Sequence, residues 1–581
     1  FALTLSGAGP GQQIRYVLVP AAAGSTAPEP TASSPVYTAP IPISSGVVVK
    51  AALFSADGST RGATRTAIYP IVSPALDTFS SNLPVVVIDS LGAGALVKDG
   101  IDHPGWMAVF SPRPAGGSTF TSAPELFSAL TMTVRGASSA EFPKKGYNLE
   151  LKDDLGRRRT APLLDLPAHE KWALVAPWKY DLGYLNNPLV YALATQLGQW
   201  APRTRLVEVY VNTGNAEIDA ADYAGIYLLT DRIEVGKRRV DLANLTPDEV
   251  SGDDVTGGYI VKIDTPDPDE IGWRTSRGLP DSSSSAIVLV SPSASDIVPA
   301  QLAYLRDYVQ RLENALFASR ASGWAQRSYL DYLDRAAWVD HHLINTFTAN
   351  PDAFERSAYF TKDRKGRLAA GPVWDFDRAL GSYWDERSYR FDVWSGYGSA
   401  DVWESGWWGV LARDPEFMQD WVDRWQSLRR TELSAPRLVA LVDSLAAGLD
   451  AAAVRDVARW PDNAKPSGSF AGQLVHLRSW LTQRAEWIDA QLVAAPAVTT
   501  GAGGALVFTA PADAQLVYTT DGSDPRSLGG EIAPNALQTS APLAVPAATN
   551  VQVRSYRAAQ RGVYPGSPWR DRKSTRLNSS H

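Results

Sequence analysis

The hydrophobic pattern changes character along the chain. The first half is written in alternation and short apolar runs, which predict strands; the second half is written largely at helical spacing. Near the start, Ile14-Arg15-Tyr16-Val17-Leu18 alternates, a Pro/Ser/Thr-rich turn region follows, and Val47-Val48-Val49-Lys50-Ala51 is a further strand. Short strands with Pro and Gly between them predict a small β sandwich over residues 1–72. Residues 495–566 repeat the plan. Leu516-Val517-Tyr518-Thr519-Thr520, with its turn Asp521-Gly522-Ser523-Asp524-Pro525, matches the Ile14 strand, and Val551-Gln552-Val553-Arg554-Ser555-Tyr556 matches residues 47–54.

Between these modules, residues 83–89 read as a buried strand, and 132–135 as a strand ending in the turn Gly136-Ala137-Ser138-Ser139. Residues 142–151 continue as a strand with Lys145, Tyr147, Leu149 and Leu151 on one face and Lys144 pointing away. A lysine on an inward face needs a partner, either a phosphate or a carboxylate. A strand is expected at 172–176, a helix at 181–197 ended by Gly198, a hairpin from 207–212 and 225–231, and strands at 259–264 and 286–290. From 298 the spacing predicts helices at 298–319, 327–349, 405–432, 434–458 and 472–493. A β-rich half followed by an α-rich half predicts an α+β, bilobal central domain over residues 80–493, flanked by two all-β modules.

At the junction, Asn350-Pro351-Asp352 precedes a hairpin. Tyr359-Phe360-Thr361 is one strand, residues 362–367 a charged turn, and 368–373 the return strand, which leads into Trp374-Asp375-Phe376-Asp377-Arg378. A hairpin brings its ends together, so Asp352 and Asp375 are expected close in space. Two carboxylates held together are costly unless a cation or a shared proton offsets the repulsion, which marks the pair as a candidate metal and catalytic site. The blander readings are Asp352 as a turn residue and Lys145 as a solvated strand lysine.

Composition narrows the classes. The 581 residues carry a net charge of -7, which argues against a general nucleic-acid binder. No apolar run reaches the length of a membrane helix. There is no cysteine, which removes disulfides and thiolate zinc sites, and only six His. The 19 Trp and 22 Tyr are expected mainly in core rather than as ligand platforms. Residue 1 is Phe and falls straight into a strand pattern, so the first module is expected to be truncated at its start. Residues 571–581 do not continue the preceding pattern and are expected to form a disordered, non-native tail.

A family resemblance rests on several pieces in order: Arg135-Gly136-Ala137-Ser138-Ser139, Phe142-Pro143-Lys144-Lys145-Gly146-Tyr147, and Gly225-Ile226-Tyr227-Leu228-Leu229-Thr230-Asp231-Arg232-Ile233. Gly257-Gly258 with the following strand, Asn350-Pro351-Asp352, residues 371–381, and Trp407-Trp408 through Arg424-Trp425 complete the set. Together they resemble the CotH kinase family, named for a bacterial spore-coat protein kinase with an atypical kinase-like fold. The two β modules resemble the immunoglobulin-like, Fn3-associated modules found beside chitobiase and other exported bacterial enzymes.

The resemblance implies ATP with Mg²⁺ or Mn²⁺, a protein acceptor, and a secreted or cell-surface setting. Phosphoryl transfer asks the protein for positioning and charge neutralisation. By resemblance, Asp375 holds the metal, Asp352 is the catalytic base, and Lys145 contacts the phosphates. Gly136, Ser138 and Ser139 cover the phosphates through backbone N–H groups. Asp377 is either a second metal ligand, on the face it shares with Asp375 in an extended segment, or an ion-pair partner of Arg378 or Arg356. Asp231 stands where the family commonly has Glu, in reach of a cation or lysine, and Ser357 where some members carry Asn as a metal ligand. The alternative is a non-catalytic surface or adhesion protein that uses the kinase-like domain as a binding scaffold, with matrix or surface polysaccharide met by the β modules.

Overall fold

The computed structural model describes residues 1–557 except 115, 215–216, 279–283, 397, 400, 464, 513 and 547–548, together with the backbone of 572–576. Helix and strand are present in near-equal shares, 26% and 27%, so the protein is α+β. The chain divides into two compact units. The first comprises Phe1–Tyr184, Pro202–Arg232 and Ala446–Gln473; the second comprises Leu185–Ala201, Ile233–Leu445 and the chain from Leu474. Among the described residues no helix is long and apolar enough to cross a membrane.

The first unit is built on a closed seven-stranded barrel. Its strands run in the order Gly146–Lys152, Lys171–Val175, Tyr223–Asp231, Thr204–Asn212, Val85–Asp89, His103–Phe110 and Leu126–Arg135. All neighbours are antiparallel except Thr204–Asn212 and Val85–Asp89. Alternation explains why Val85–Asp89 is buried throughout. Val86 and Ile88 join the core made with Met107, Val109, Leu149 and Leu229. Val85 and Val87 face the other way, toward Val48 and Ile68 of the N-terminal sheet. That sheet is antiparallel, of strands Gln12–Pro20, Val47–Ser55 and Arg65–Tyr69. It therefore shares a core with the barrel.

The expected hairpin of 207–212 with 225–231 is present, as Thr204–Asn212 against Tyr223–Asp231. The helix Asp450–Arg459 lies on the second of these strands. The sequence pattern runs 434–458 together as one helix. The structure divides it into Ala435–Ala446 and Asp450–Arg459, because Gly448 takes a left-handed φ of 82°.

The second unit holds a five-stranded antiparallel sheet in the order Gly272–Trp273, Ala286–Ser291, Tyr259–Asp264, Ala358–Lys362, Leu368–Ala370. Its helices include Asn186–Gln196, Pro299–Ala321, Arg335–Phe347, Gly406–Leu411, Pro415–Arg430 and Phe470–Gln491, although the last begins in the first unit. The expected helix at 405–432 is two helices, since the Asp414 side chain accepts from the Glu416 N–H and Pro415 occupies the first turn. Trp338, Trp408, Trp421 and Trp425 are fully buried, as the core reading of the tryptophans requires.

Two adjacent sheets share a small core of Phe508, Leu516, Val545, Val551 and Val553 at the C-terminal side. One contains Ala497–Thr500, Leu506–Thr509 and Leu543–Val545, the other Gln515–Thr519, Leu537–Thr539 and Gln552–Tyr556. Arg526 bonds Glu416, and Arg554 bonds Asp423, so this module is fastened to the helix Pro415–Arg430. Of the tail from 571 onward, only the backbone of Arg572–Arg576 is described, paired antiparallel with Gln552–Tyr556. The rest of that expectation lies outside the described residues.

Two adjacent histidines set a pH dependence. His341 and His342 are buried in the helix Arg335–Phe347, and His342 Nε2 lies 2.6 Å from the Val402 carbonyl oxygen. Burial pushes the two imidazoles down to about 3 and about 4. Below pH ~6.5 the unfolded chain takes up protons that the folded chain refuses, so this contribution to stability is lost as pH falls. Burial pushes the Asp89 and Asp222 carboxyls up to about 7 and about 6, and these act in the opposite direction. The imidazole share is therefore read by difference. Moving from pH 7 to 5 is expected to cost wild type about 2 kcal/mol more than His342→Gln in urea unfolding.

Candidate functional site

The sequence-predicted site residues divide between the two units. Asp352, Asp375 and Asp377 belong to the second; Lys145, Gly136, Ser138, Ser139 and Asp231 belong to the first.

In the second unit the site grows from the end of the helix Arg335–Phe347. Ala349 takes a left-handed φ of 50°, which lets the Asn350 N–H donate back to the Asn345 carbonyl. The Asn350 side chain then donates to Asn345 Oδ1 and accepts from the Asp352 N–H at 3.3 Å. The Asp352 carbonyl accepts from the N–H groups of Glu355 and Arg356, closing a tight turn. Phe354, also left-handed, plugs that turn into the core, with its ring centroid 5.0 Å from those of His342 and Trp408. Asp352 stays partly exposed at the rim, where Arg387 Nη1 donates to its Oδ1 at 2.7 Å.

The hairpin that follows is the expected one, Phe360 pairing with Ala370 and Lys362 with Leu368. It delivers the chain to Asp375. The Phe376 N–H donates to Asn187 Oδ1 at 2.8 Å, and the Asp375 N–H to the Tyr191 hydroxyl at 3.4 Å. Asn186 Nδ2 donates to the carbonyls of Asp377 and Ala379, and the Leu380 N–H donates to the Thr348 carbonyl. The loop backbone is thus fixed by the helix Asn186–Gln196 and by the end of the helix Arg335–Phe347, while the Asp375 side chain is exposed. Ser357 Oγ donates to Asp375 Oδ2 at 3.3 Å. The turn begun by Asp352 and the loop carrying Asp375 are therefore in direct contact.

Asp375 has φ 65°, so the segment is not extended there, and alternation does not place Asp377 on the face of Asp375. Arg378 meets Asp385 at 3.3 Å. Ala349, Phe354, Ser357, Lys365, Asp375 and Leu380 are all non-glycine residues with positive φ. Each such conformation costs on the order of 1–3 kcal/mol and persists only where surrounding contacts over-determine it.

The oxygens brought together here, the Asp375 carboxylate and the Ser357 hydroxyl, are hard donors of the kind a divalent cation takes. Among the described residues no group of three or more His, Asp and Glu is assembled for a metal ion.

The first unit corrects the reading of the two lysines. The strand starts at Gly146, so alternation does not reach back to 144 and 145. Lys144 is the buried one, with Nζ 2.6 Å from Asp456 Oδ1; Lys145 is half-buried and donates to the Ala140 carbonyl at 2.6 Å. Asp456 also accepts from the Ile226 N–H and the Tyr184 hydroxyl. Gly225 makes room for it: φ is 95°, and a Cβ there would lie 2.1 Å from Asp456 Oδ1. Burial lowers the Lys144 ammonium, with Asp456 acting against it. Gly136 precedes the short turn Ser138–Glu141, with Ser138 exposed. Asp231 is fully buried, and its Oδ2 takes Arg203 Nε at 2.6 Å, so the cation it meets is an arginine.

Asn186, Asn187, Tyr191, Asp385, Arg387 and Asp456 were not singled out from sequence. The Asn186-Asn187-Pro188 start of a helix is a readable signal, because two buried amides at a helix N-terminus need partners. Asn187→Ala is expected to cost about 1–3 kcal/mol by leaving the Phe376 N–H unpaired, measured by urea unfolding. The same variant should increase amide exchange at 374–380.

The family model described as CotH kinase protein matches residues 132–488. That is more than half of the chain, and the chain belongs to this family. Membership carries a protein-kinase-like function at the level of class, and with it ATP and a divalent metal in general. No curated protein matched the chain.

Proposed function

We propose that the chain is an atypical protein kinase that transfers the γ-phosphate of ATP to a Ser or Thr hydroxyl of an exported or surface protein. The observation that supports this most is the pair of strained loops carrying Asp352 and Asp375, joined through Ser357 and fixed by buried amides. In this reading the central domain is a bilobal, kinase-like body, and the flanking modules are immunoglobulin-like spacers of a secreted or cell-surface protein, meeting matrix or surface polysaccharide.

Bound ATP with Mg²⁺ or Mn²⁺ supplies the transferable phosphoryl group and neutralises its developing charge. Asp375, with Asp377 as second candidate, holds the metal. Asp352 orients the acceptor hydroxyl and takes its proton at Oδ2, since Oδ1 is engaged by Arg387. Lys145 and the backbone of Gly136, Ser138 and Ser139 are the first unit's candidates for contacting phosphates. Asp231 supports the barrel wall through Arg203.

Calorimetric titration with ATP tests the nucleotide part. Binding is expected with Mg²⁺ or Mn²⁺, weakened more than about tenfold in Asp375→Ala. A folded wild type that binds no ATP with either metal overturns it. Binding without transfer instead selects the non-catalytic scaffold.

A further inference from the structure

Arg387 lies in the short helix Glu386–Tyr389, 35 residues from Asp352 in sequence. It uses every face of its guanidinium on carboxylates. Nε and Nη2 clamp Asp385 at 2.8 and 2.6 Å, while Nη1 donates to Asp352 Oδ1 at 2.7 Å. Asp385 is the buried member: its carboxylate also takes Arg378, and its Oδ1 accepts the Arg387 N–H. Burial works to raise the Asp385 carboxyl, but the hydrogen bonds from Arg387 outweigh it and hold it below its usual range. The guanidinium is therefore anchored on its buried side by two bonds and presents its remaining edge to one oxygen of Asp352.

A planar fork fixed in this way dictates the plane and direction of the carboxylate it meets. A lysine ammonium in the same place would supply charge without that geometry. A ring of surface ion pairs would not explain the arrangement, because exposed pairs are geometrically loose, whereas Asp385 is buried with 5% of its side chain exposed. Ser388 Oγ adds a bond of 2.5 Å to the Arg378 carbonyl, tying the short helix to the loop that carries Asp375.

We propose that Arg387, anchored by Asp385, is a positioning residue that aims Asp352 at the acceptor hydroxyl. The assignment rests on the kinase reading above, with Asp352 as the base. It acts through Asp352 and not on the nucleotide, so it predicts a loss in rate and not in nucleotide affinity.

The test is autophosphorylation of the full chain with γ-labelled ATP and Mg²⁺ or Mn²⁺, recording the rate at saturating ATP and the ATP concentration giving half that rate. Arg387→Ala is expected to lower the saturating rate about 10- to 100-fold, the range of second-layer supports, with the half-saturating concentration unchanged within twofold. Asp385→Asn, which weakens the anchor of Arg387 and the contact with Arg378, should lower the same rate. Arg387→Lys, which keeps the charge and fold, should fall between wild type and Arg387→Ala. Guanidinium ion at sub-denaturing concentration should partly restore Arg387→Ala and leave Asp352→Asn inactive. The proposal is overturned if Arg387→Ala and Arg387→Lys keep the wild-type rate while Asp352→Asn is inactive. It is also overturned if the loss in Arg387→Ala is indifferent to guanidinium and absent from Asp385→Asn. If wild type itself transfers no label, the kinase reading fails and this assignment falls with it.

Discussion

Asp456→Ala lowers the stability of the first unit by about 3–5 kcal/mol, the cost of removing one partner of a buried ion pair. The size follows from what is left behind. Lys144 Nζ loses a carboxylate oxygen 2.6 Å away, in a position with no exposed side-chain surface. The Ile226 N–H and the Tyr184 hydroxyl lose their acceptor at the same time. The neighbouring Lys465, whose Nζ donates to the Leu182 carbonyl and the Tyr184 hydroxyl, leaves a second cation in the same pocket. Burial already pushes the Lys465 ammonium down to about 8, with Asp456 acting against it and Lys144 with it.

The helix Asp450–Arg459 is bound to the barrel by this group, by Arg455 on Glu208, and by Arg459 and Trp460 on the carbonyls of Tyr223 and Ala224. Exchange protection should therefore be lost first at 450–459. Combining Asp456→Leu with Lys144→Met removes both charges of the pair and should recover part of the loss, the remainder being the cost of Lys465, whose buried ammonium still lacks the Asp456 carboxylate. Urea unfolding with amide exchange checks both statements; a change under about 1 kcal/mol for Asp456→Ala would remove the ion pair from the account of this fold.

Much of the scaffold was legible because it depends on local periodicity. The hairpin around Lys362 and Leu368 follows from two apolar strands and a charged turn, as does the pairing of 204–212 with 223–231. Local punctuation is legible as well. Asp414-Pro415 opens a new helix and Gly448 follows the end of one, at points that the apolar spacing alone runs through. The lysine pair shows where periodicity stops. The face of Tyr147, Leu149 and Leu151 was readable, yet carrying it back past Gly146 assigned the buried position to Lys145 instead of Lys144.

The supports of the candidate site were the least legible part. Asn187 meets Phe376 across 189 residues, Lys144 meets Asp456 across 312, and Arg387 meets Asp352 through an irregular loop. Such contacts are set by tertiary packing and leave no periodic trace. Asp375 is a candidate from its motif, but its left-handed backbone is not legible, since an aspartate in a Trp-Asp-Phe-Asp run reads as extended.

The second large effect falls on that residue. Asp375→Ala is expected to lower metal-dependent phosphoryl transfer by more than about a hundredfold, beyond the 10- to 100-fold typical of residues that only support a ligand. Stability should change little, because the side chain is exposed and the loop is fixed through backbone groups and Asn186, Asn187 and Tyr191. Relief of a carboxylate at φ 65° adds nothing, since alanine is no better suited to that conformation. Ser357→Ala, which removes only the hydroxyl donor to Asp375 Oδ2, should have a smaller effect of the same kind.

The most direct measurement is incorporation of label from γ-labelled ATP into the purified full chain, with Mg²⁺ and with Mn²⁺, for wild type, Asp352→Asn and Asp375→Ala. Wild type is expected to carry label on Ser or Thr, dependent on the metal, and neither variant any above background while both remain folded. Equal labelling of Asp375→Ala, or no labelling of a folded wild type with either metal, would contradict this expectation.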